Sequence, residues 1–600
     1  MSKNLETLIE ETKKQYLAKG IDLEQETAGD WGNKLNFWVN ALSFLNKFRD
    51  ESGFFDLEFA THNFTENQFS VICEMLKKLV ADEPDLQREF KITYYTLTGK
   101  PQSKHLFEML GAIEFEILNF GSYEVEYRQV DVQLWSSDVT QLASLIRKQK
   151  GLKGLKLASL TRSDEFSDAI ATTLADAIRD NTNIEVLDLS WNNLSANGAN
   201  TFGNVLSTHP SIHTLYLSEC TKHDVSIAPL LAHLKPNPRL RQLHITPNKE
   251  MGIPGVNLIA EIISANHLTS LDLNSGFSAI TAEGATILAA ALSRNTSLVS
   301  LDVSYCHIGF EGISQILQAC ARKECKLEVL DLKRCNIEKA GSEDSKVGAE
   351  VAALLPHIPC LKRVSLADNQ FNNPEVQKIA SVAGSIPNLE ILDVSLNQTY
   401  TGVEIDHDRR PRLPEHHNIL LALADSAESN PKIQKIYLLE EFSQQLGYRP
   451  MIRIETSNLD KPSGGLVFYS WWINKDGSVE VDPLYFQTID RIGKACLSNR
   501  QLAASAAPLQ GQQTAAASPI SGHLGERVAH LRAAIESANS SPDASPSIPS
   551  DTMQFAGPPN TIQLGSSRAS VTSTASHATS SSSAAAHLEV VAPSTARHTS

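Results

Sequence analysis

The chain has 600 residues, with 53 Lys+Arg against 69 Asp+Glu and a formal charge of -16. That balance excludes a nucleic-acid or anionic-membrane surface unless a basic patch runs against it, and the sequence has no such patch. The charged amino terminus "MSKNLETLIEETKKQYLAKG" and the lack of any stretch near the roughly 20 apolar residues of a span exclude a secretory signal and a membrane helix.

In chain order, residues 1–150 hold three strand-like runs, "FFDLEFATHNF", "REFKITYYTLTG" and "EVEYRQVDVQLW". Amphipathic helices separate and end them, among them "ENQFSVICEMLKKLVADE" and "SSDVTQLASLIRKQ". From residue 151 the chain becomes periodic. The frame Leu-x-x-Leu-x-Leu-x-x-Asn/Cys starts at Leu152, Ile184, Ile212, Leu240, Leu268, Leu298, Leu327, Leu361, Leu389 and Ile433, mostly at intervals close to 28 or 29 residues.

Within "SLVSLDVSYCHIG", Leu301 and Val303 alternate onto one face of a short strand. The ninth position is Asn192, Asn248, Asn369 or Asn397 in some repeats and Cys220, Cys306 or Cys335 in others. An Asn amide there satisfies backbone groups that the inward turn buries, and Cys offers a weaker donor in less volume. "TAEGATILAAALSRNTS" supplies the return helix, with Thr281 at the N-cap and Ile287, Leu288, Ala291 and Leu292 on one face. The eight cysteines read as reduced thiols, several at this repeated position. Cys320 and Cys325 in "CARKEC" have half the ligands of a metal site, without a second pair or a His partner at ligand spacing. No cofactor or metal is expected.

Strand, turn and helix at this period are the pattern of a leucine-rich-repeat solenoid. The frame resembles the ribonuclease-inhibitor-like class, shared with Ran GTPase-activating proteins and the sensor regions of NOD-like receptors, over residues 151–440. The resemblance implies an α/β horseshoe with a parallel concave sheet and convex helices, capped at both ends. Residues 1–150 are then an α/β cap with possible degenerate repeats, and 441–500 a β-hairpin cap built around Asp476-Gly477. Trp471 and Trp472 in that hairpin fit inward packing better than ligand stacking.

Two insertions break the period, "EKAGSEDSKVGAE" and "TYTGVEIDHDRRPRLPEHH". The second collects Asp406, His407, Asp408, Arg409, Arg410, Arg412, His416 and His417, residues suited to a metal or a partner. Nothing sets them on one helix face, so a solvated rim loop is the plainer reading. Residues 501–600 are rich in Ser, Ala, Thr and Pro and are expected to be a low-complexity, disordered tail. Within it "HLGERVAHLRAAIES" puts Leu524, Val528, Leu531 and Ile535 on one helical face, suited to a groove on a partner or on this chain.

The sequence has no Gly-rich phosphate loop, no His-Glu metal helix and no Gly-x-Ser-x-Gly elbow, so no enzyme is expected. Bacterial leucine-rich-repeat ubiquitin ligases resemble the repeats, but after them this chain has only Cys496. In Ran GTPase-activating proteins a loop arginine assists hydrolysis, and Arg162 stands in the matching loop, preceded by Thr161 where the family commonly has Gly. That is the alternative function, set against an ordinary loop arginine.

The expected function is non-enzymatic protein recognition through the concave face, where positions three, five, seven and eight face outward. Position five runs Lys156, Asp188, Tyr216, His244, Asp272, Asp302, Asp331, Ser365, Asp393, Tyr437, with an acidic middle. Asp188, Trp191, Tyr216, His244, Asp272, Asp302, Tyr305 and Asp331 are the candidate partner-binding residues. Repeats with a Ser/Thr-rich tail also resemble effectors that intracellular bacteria deliver by type IV secretion. That resemblance implies a soluble monomer acting on a host protein in the host cytoplasm. The competing reading is a eukaryotic cytoplasmic regulator.

Overall fold

The computed structural model describes residues 5–26, 36–50, 53–56, 60, 63–83, 86, 89–93, 102–120, 136–160, 166–221, 227–245, 251–274, 280–335, 347–395, 397, 414–439, 453–454, 472–473, 479–480 and 483–506. The chain divides into Met1–Asn539 and Ser540–Ser600, and every described residue lies in the first unit.

Short strands alternate with helices along this unit and pair into one open 14-stranded sheet in sequence order. Its members are β1 (Phe54–Asp56), β2 (Glu89–Thr93), β3 (Ile117–Phe120), β4 (Gly154–Lys156), β5 (Val186–Asp188), β6 (Thr214–Tyr216) and β7 (Gln242–His244). They continue as β8 (Ser270–Asp272), β9 (Ser300–Asp302), β10 (Val329–Asp331), β11 (Arg363–Ser365), β12 (Ile391–Asp393), β13 (Lys435–Leu439) and β14 (Arg453–Ile454). The first thirteen are parallel, and β14 runs antiparallel to β13, pairing Leu438 with Ile454. An α/β solenoid of strand, turn and return helix is therefore the fold.

The alternation expected from the frame places Leu155, Leu187, Leu215, Leu243, Leu271, Leu301 and Leu330 side by side in register, all buried. Each such side chain removed from water stabilises the stack by about 1.5–3 kcal/mol. Helices cover the other side of this ladder, packing each against the next. One close approach uses a small residue: a Cβ on Gly312 would lie 2.7 Å from the Ala285 Cβ. Among the described residues, no helix is long and apolar enough to cross a membrane.

The ninth-position asparagines do what backbone accounting requires. Asn192 donates Nδ2 to the carbonyls of Leu157 (2.7 Å) and Leu189 (2.9 Å) and accepts from Leu160 N–H (2.9 Å). Asn369 and Asn397 repeat the arrangement. Where Cys replaces Asn, the thiol makes longer contacts: Cys306 Sγ donates to Leu273 O (3.4 Å), and Cys335 Sγ to Val303 O (3.3 Å) and Lys333 O (3.8 Å). Asn248 lies outside the described residues. Thr281 does occupy the N-cap of helix Ala282–Leu292, but its side chain makes no cap hydrogen bond, unlike Ser167, Ser195 and Asn372 before their helices.

A second polar ladder, which the repeat frame does not announce, runs where the helices end. Asn181 Nδ2 reaches Ile146 O (2.7 Å) and Gln149 O (2.9 Å) on the preceding repeat, and its Oδ1 accepts from Asn183 N–H. Gln149, Asn237, Asn295 and Asn430 make the equivalent bonds, each three residues before the frame begins. They satisfy carbonyls that a helix C-terminus leaves orphaned. His209 holds this place in one repeat, with Nε2 against Ile178 O and Asn181 O, and Nδ1 accepting from Ser211 and Ile212 N–H.

The amino-terminal segment belongs to the same sheet, its strands pairing in parallel into β4. The first two expected strands coincide with β1 and β2. The third strand is Ile117–Phe120, upstream of the expected "EVEYRQVDVQLW", of which residues 124–135 lie outside the described residues. Phe shares the ladder places with Leu118 and Ile92 here: Phe55, Phe90, Phe115 and Phe120 are buried, with Phe44–Phe55 and Phe55–Phe90 ring centroids 5.1 and 5.8 Å apart.

At the other end, β15 (Trp472–Ile473) and β16 (Val479–Glu480) pair antiparallel as the Asp476-Gly477 turn implies, in a separate two-stranded sheet. The element packed on the last repeat helix, Pro414–Ser429, is the helix Pro483–Ala506, which runs beyond residue 500. Asn499 Nδ2 donates to Ala427 O, Asn430 O and Ile433 O, extending the helix-end ladder by one more repeat. Ile492 and Cys496 bury beneath it.

Candidate partner-binding face

The strand face opposite the helices is built from positions three and five, with position eight at its edge. Position five is less open than alternation alone predicts. Asp188, Asp272, Asp302, Asp331 and Asp393 each accept the backbone N–H two residues ahead, at 2.8–3.1 Å. A carboxylate in that role closes the strand into its turn. Asp188, His244 and Asp331 are buried, at 3%, 4% and 5% exposure, while Tyr216, Asp272 and Asp302 remain partly exposed. Position seven also turns inward: Ala158, Ser190, Ser218, Ser304, Ala367 and Ser395 are buried.

Position eight is left-handed at every repeat in which it stands out: Ser159, Trp191, Glu219, Tyr305, Arg334 and Asp368 have φ between 44° and 60°. This conformation is costly for a side chain with a Cβ. It is offset by a backbone bond to the next repeat, as from Trp191 N to Ser218 O (2.8 Å) and from Tyr305 N to Lys333 O (2.8 Å). The result is a row of partly exposed side chains along the edge, Trp191 and Tyr305 among them.

Register brings the position-five residues into one column. Lys156 Nζ pairs with Glu89 Oε1 (3.3 Å) at its amino-terminal end. Tyr216 stacks on His244 with centroids 4.2 Å apart and planes at 10°. His244 Nδ1 faces Asp272 Oδ2 at 3.2 Å, and its buried Nε2 has no hydrogen-bond partner among the described residues. Asp272, Asp302 and Asp331 then stand directly side by side. Burial, then the charges of Asp331 and Asp272, push the Asp302 carboxyl well above the usual carboxylate range. Burial raises Asp331 to about 6, opposed by the Lys333 N–H. Burial also raises Asp188.

The surrounding charge is mixed. Lys333 Nζ and the Arg334 guanidinium lie 5.5 and 5.7 Å from the Tyr305 ring centroid, so a cationic edge borders the acidic column. Position five alone does not reveal this edge, because both residues sit at positions seven and eight of the following repeat. Among the described residues, no group of three or more His, Cys, Asp or Glu side chains is placed to hold a metal ion. Arg162 and Trp471 lie outside the described residues, as do residues 399–413 of the second insertion, 338–346 of the first, and the amphipathic stretch of the tail; Trp472, His416 and His417 are described in backbone only.

The family model described as "Leucine Rich repeat" matches residues 180–203 and 294–317, each running from one repeat into the next helix. The chain carries leucine-rich repeats. It is 29% identical to the ribonuclease inhibitor of Sus scrofa across 174 residues, covering 28% of this chain and 38% of that protein. It is 28% identical to NACHT, LRR and PYD domains-containing protein 12 of Mus musculus across 178 residues, covering 29% of this chain and 17% of the relative. The chain thus spans well under half the length of these relatives. Among solved structures, the leucine-rich repeat-containing protein LegL7 of Legionella pneumophila aligns over 61% of this chain and 97% of that one, at 16% identity and a TM-score of 0.30. A TLR13–ssRNA13 complex aligns over 62% of this chain and 52% of the other, at 12% identity and a TM-score of 0.34.

Proposed function

We propose that this leucine-rich-repeat protein is a non-enzymatic recognition scaffold that takes a protein partner on its open strand face. The observation that carries the reading is the register: side chains from ten consecutive repeats stand about 4.8 Å apart in one column, a spacing held by backbone hydrogen bonds rather than by the side chains themselves. Trp191, Tyr216 and Tyr305 serve as anchors, and Asp272 and Asp302 meet a basic group on the partner. Asp188, His244 and Asp331 act from beneath, holding the turns and the stack. The likeness to a ribonuclease inhibitor, a protein named for the protein it inhibits, supports a protein partner.

The test is affinity capture by the full chain from eukaryotic cell lysate, read by mass spectrometry, beside the variant Trp191→Ala/Tyr305→Ala and the variant Asp272→Asn/Asp302→Asn. The Asn variant keeps the acceptor for the turn N–H while removing charge. A partner lost from both variants supports the face as the site; equal capture by all three removes it. The finer reading, delivery by a bacterium into a host cell, rests on the Ser/Thr-rich composition of residues 501–600. Deleting the chain after Arg568 then blocks delivery, and normal delivery of the truncated chain ends that reading.

A further inference from the structure

The open strand face is not acidic throughout. Position three runs Ser270, Ser300, Val329, Arg363 and Ile391 on β8 to β12, so register sets Arg363 between Val329 and Ile391. Arg363 is half-buried, its Nε is enclosed without a hydrogen-bond partner, and its guanidinium makes no ion pair among the described residues. Carboxylates stand on both flanking strands but are engaged elsewhere. Asp331 accepts Lys333 N–H (2.9 Å), while Asp393 accepts Ser395 N–H (3.1 Å) and the hydroxyls of Ser365 (3.2 Å) and Ser395 (2.6 Å). The face thus offers a guanidinium fork with no internal carboxylate on it.

The acidic column has the opposite deficit. Asp272 Oδ1 and Asp302 Oδ1 are spent on their turns, accepting Asn274 N–H (2.9 Å) and Ser304 N–H (2.8 Å). The other oxygen of Asp272 faces His244 Nδ1 (3.2 Å), whereas that of Asp302 has no partner among the described residues. A ring nitrogen facing a carboxylate is the protonated one, which makes His244 Nε2 an acceptor. That nitrogen is unpartnered in a side chain only 4% exposed, stacked on Tyr216. Asp302 and His244 therefore both lack a donor, and a buried polar group left so is a cost that a donor from outside offsets.

We infer that the face takes a partner segment bearing one basic and one acidic side chain, the Lys or Arg on Asp302 and the Asp or Glu bidentate on Arg363; this rests on the strand face being the partner site. Register places Arg363 two strands across from Asp302 and two residues back along the strand, about 12 Å away on the Cα trace. In an extended segment, residues i and i+4 share one side and lie about 13 Å apart, so a charge pair at that separation spans both contacts. The guanidinium fork matches a carboxylate in geometry, and Val329 and Ile391 beside it limit the water that would weaken the pair. A wholly acidic segment is repelled by Asp272, Asp302 and Asp331. A wholly basic one meets Arg363 with like charge. Selecting the mixed pair needs both ends of the face.

The test pans a random peptide library displayed on phage against the immobilised full chain and measures the enriched peptides, made synthetically, by fluorescence anisotropy. The expected peptides carry a Lys or Arg and an Asp or Glu four residues apart and lose binding to Trp191→Ala/Tyr305→Ala. Asp302→Asn, which keeps the acceptor for Ser304 N–H, and Arg363→Gln each weaken them at least about tenfold. Arg363→Lys keeps the charge without the fork and restores part of that loss. Panned afresh, Arg363→Glu selects a second basic residue in place of the acidic one. Peptides that need Trp191 and Tyr305 but carry only basic residues, or ignore Arg363→Gln, overturn the inference and leave the strand face as the site. Enriched peptides indifferent to Trp191→Ala/Tyr305→Ala, or no enrichment over the bare support, overturn both. The sequences selected by the unsubstituted chain decide the matter even if a variant fails to fold.

Discussion

The three amino-terminal strands and the regular repeats from Leu152 onward share one sheet but fill it differently. In the regular repeats Leu repeats through the core and a polar amide satisfies the turn; in β1 to β3, Phe55, Phe90, Phe115 and Phe120 occupy the equivalent depth. The rings of Phe55, Phe90 and Phe115 pack in a chain that reaches Phe44 and Phe48 of helix Phe37–Asp50, and Phe120 stacks on Phe107. One backbone plan thus tolerates two core chemistries, because a parallel ladder fixes spacing and leaves side-chain volume to be matched locally. The aromatic version also ends the stack, since large rings with a covering helix close a hydrophobic face that a Leu ladder leaves open.

The largest expected effect breaks that comparison at its aromatic end. Phe90→Ala removes a ring in contact with Phe48, Phe55 and Phe115, and costs about 3–5 kcal/mol. Urea unfolding followed by hydrogen exchange should show the amino-terminal strands opening before the regular repeats, whereas one unchanged transition would mean the two regions fold as a single unit. Next is Asn192→Ala, which strands Leu157 O, Leu189 O and Leu160 N in the core of the regular region and costs about 2–3 kcal/mol in the same assay.

Asp331→Asn sharpens the comparison by relieving a cost. Because its folded value of about 6 lies above the ordinary 3.8, the carboxyl's contribution is present below 3.8 and is lost as pH rises through about 6. The amide keeps the acceptor for Lys333 N–H, so above pH 6 the variant should gain about 3 kcal/mol, each tenfold change in proton affinity being worth on the order of 1.4 kcal/mol. A variant that is less stable at pH 7 would mean that the charge is compensated by Lys333 and Arg363.

The smallest effect concerns His209, which burial holds below its ordinary value of 6.5. Its Nδ1 already accepts two N–H groups and has no room for a proton. Its contribution is complete above 6.5 and is lost as pH falls below that toward the depressed folded value, where the unfolded chain takes up a proton that the folded chain refuses. His209→Asn, the residue used by neighbouring repeats, should flatten that acid slope while changing stability at pH 7.5 by less than about 1 kcal/mol. An unaltered slope would assign the acid sensitivity elsewhere.

Much of this was legible in the sequence wherever one residue type repeats at one place. The Leu frame predicts β4 to β13, and the Asn and Cys alternation predicts the turn ladder, because both obey a fixed period. The Phe repeats, the helix-end ladder of Gln149, Asn181, His209, Asn237 and Asn295, and its continuation by Asn499 kept no such uniformity. The same applies to the candidate face. Trp191, Tyr216, Asp272, Asp302 and Tyr305 remain partly exposed, but Asp188, His244 and Asp331 are buried.

By itself, then, the sequence determined the repeat, its strand-turn-helix order and the buried ladder, since these follow from hydrophobic period and backbone accounting within a single repeat. Tertiary structure alone decided which residues of adjacent repeats meet: His244 against Asp272, Lys333 and Arg334 beside Tyr305, and Asn499 capping the last repeat helix. The physical reason is that register across parallel strands is set by the hydrogen bonds of the whole stack. A side chain's partner lies about one repeat away in sequence and only about 4.8 Å away in space.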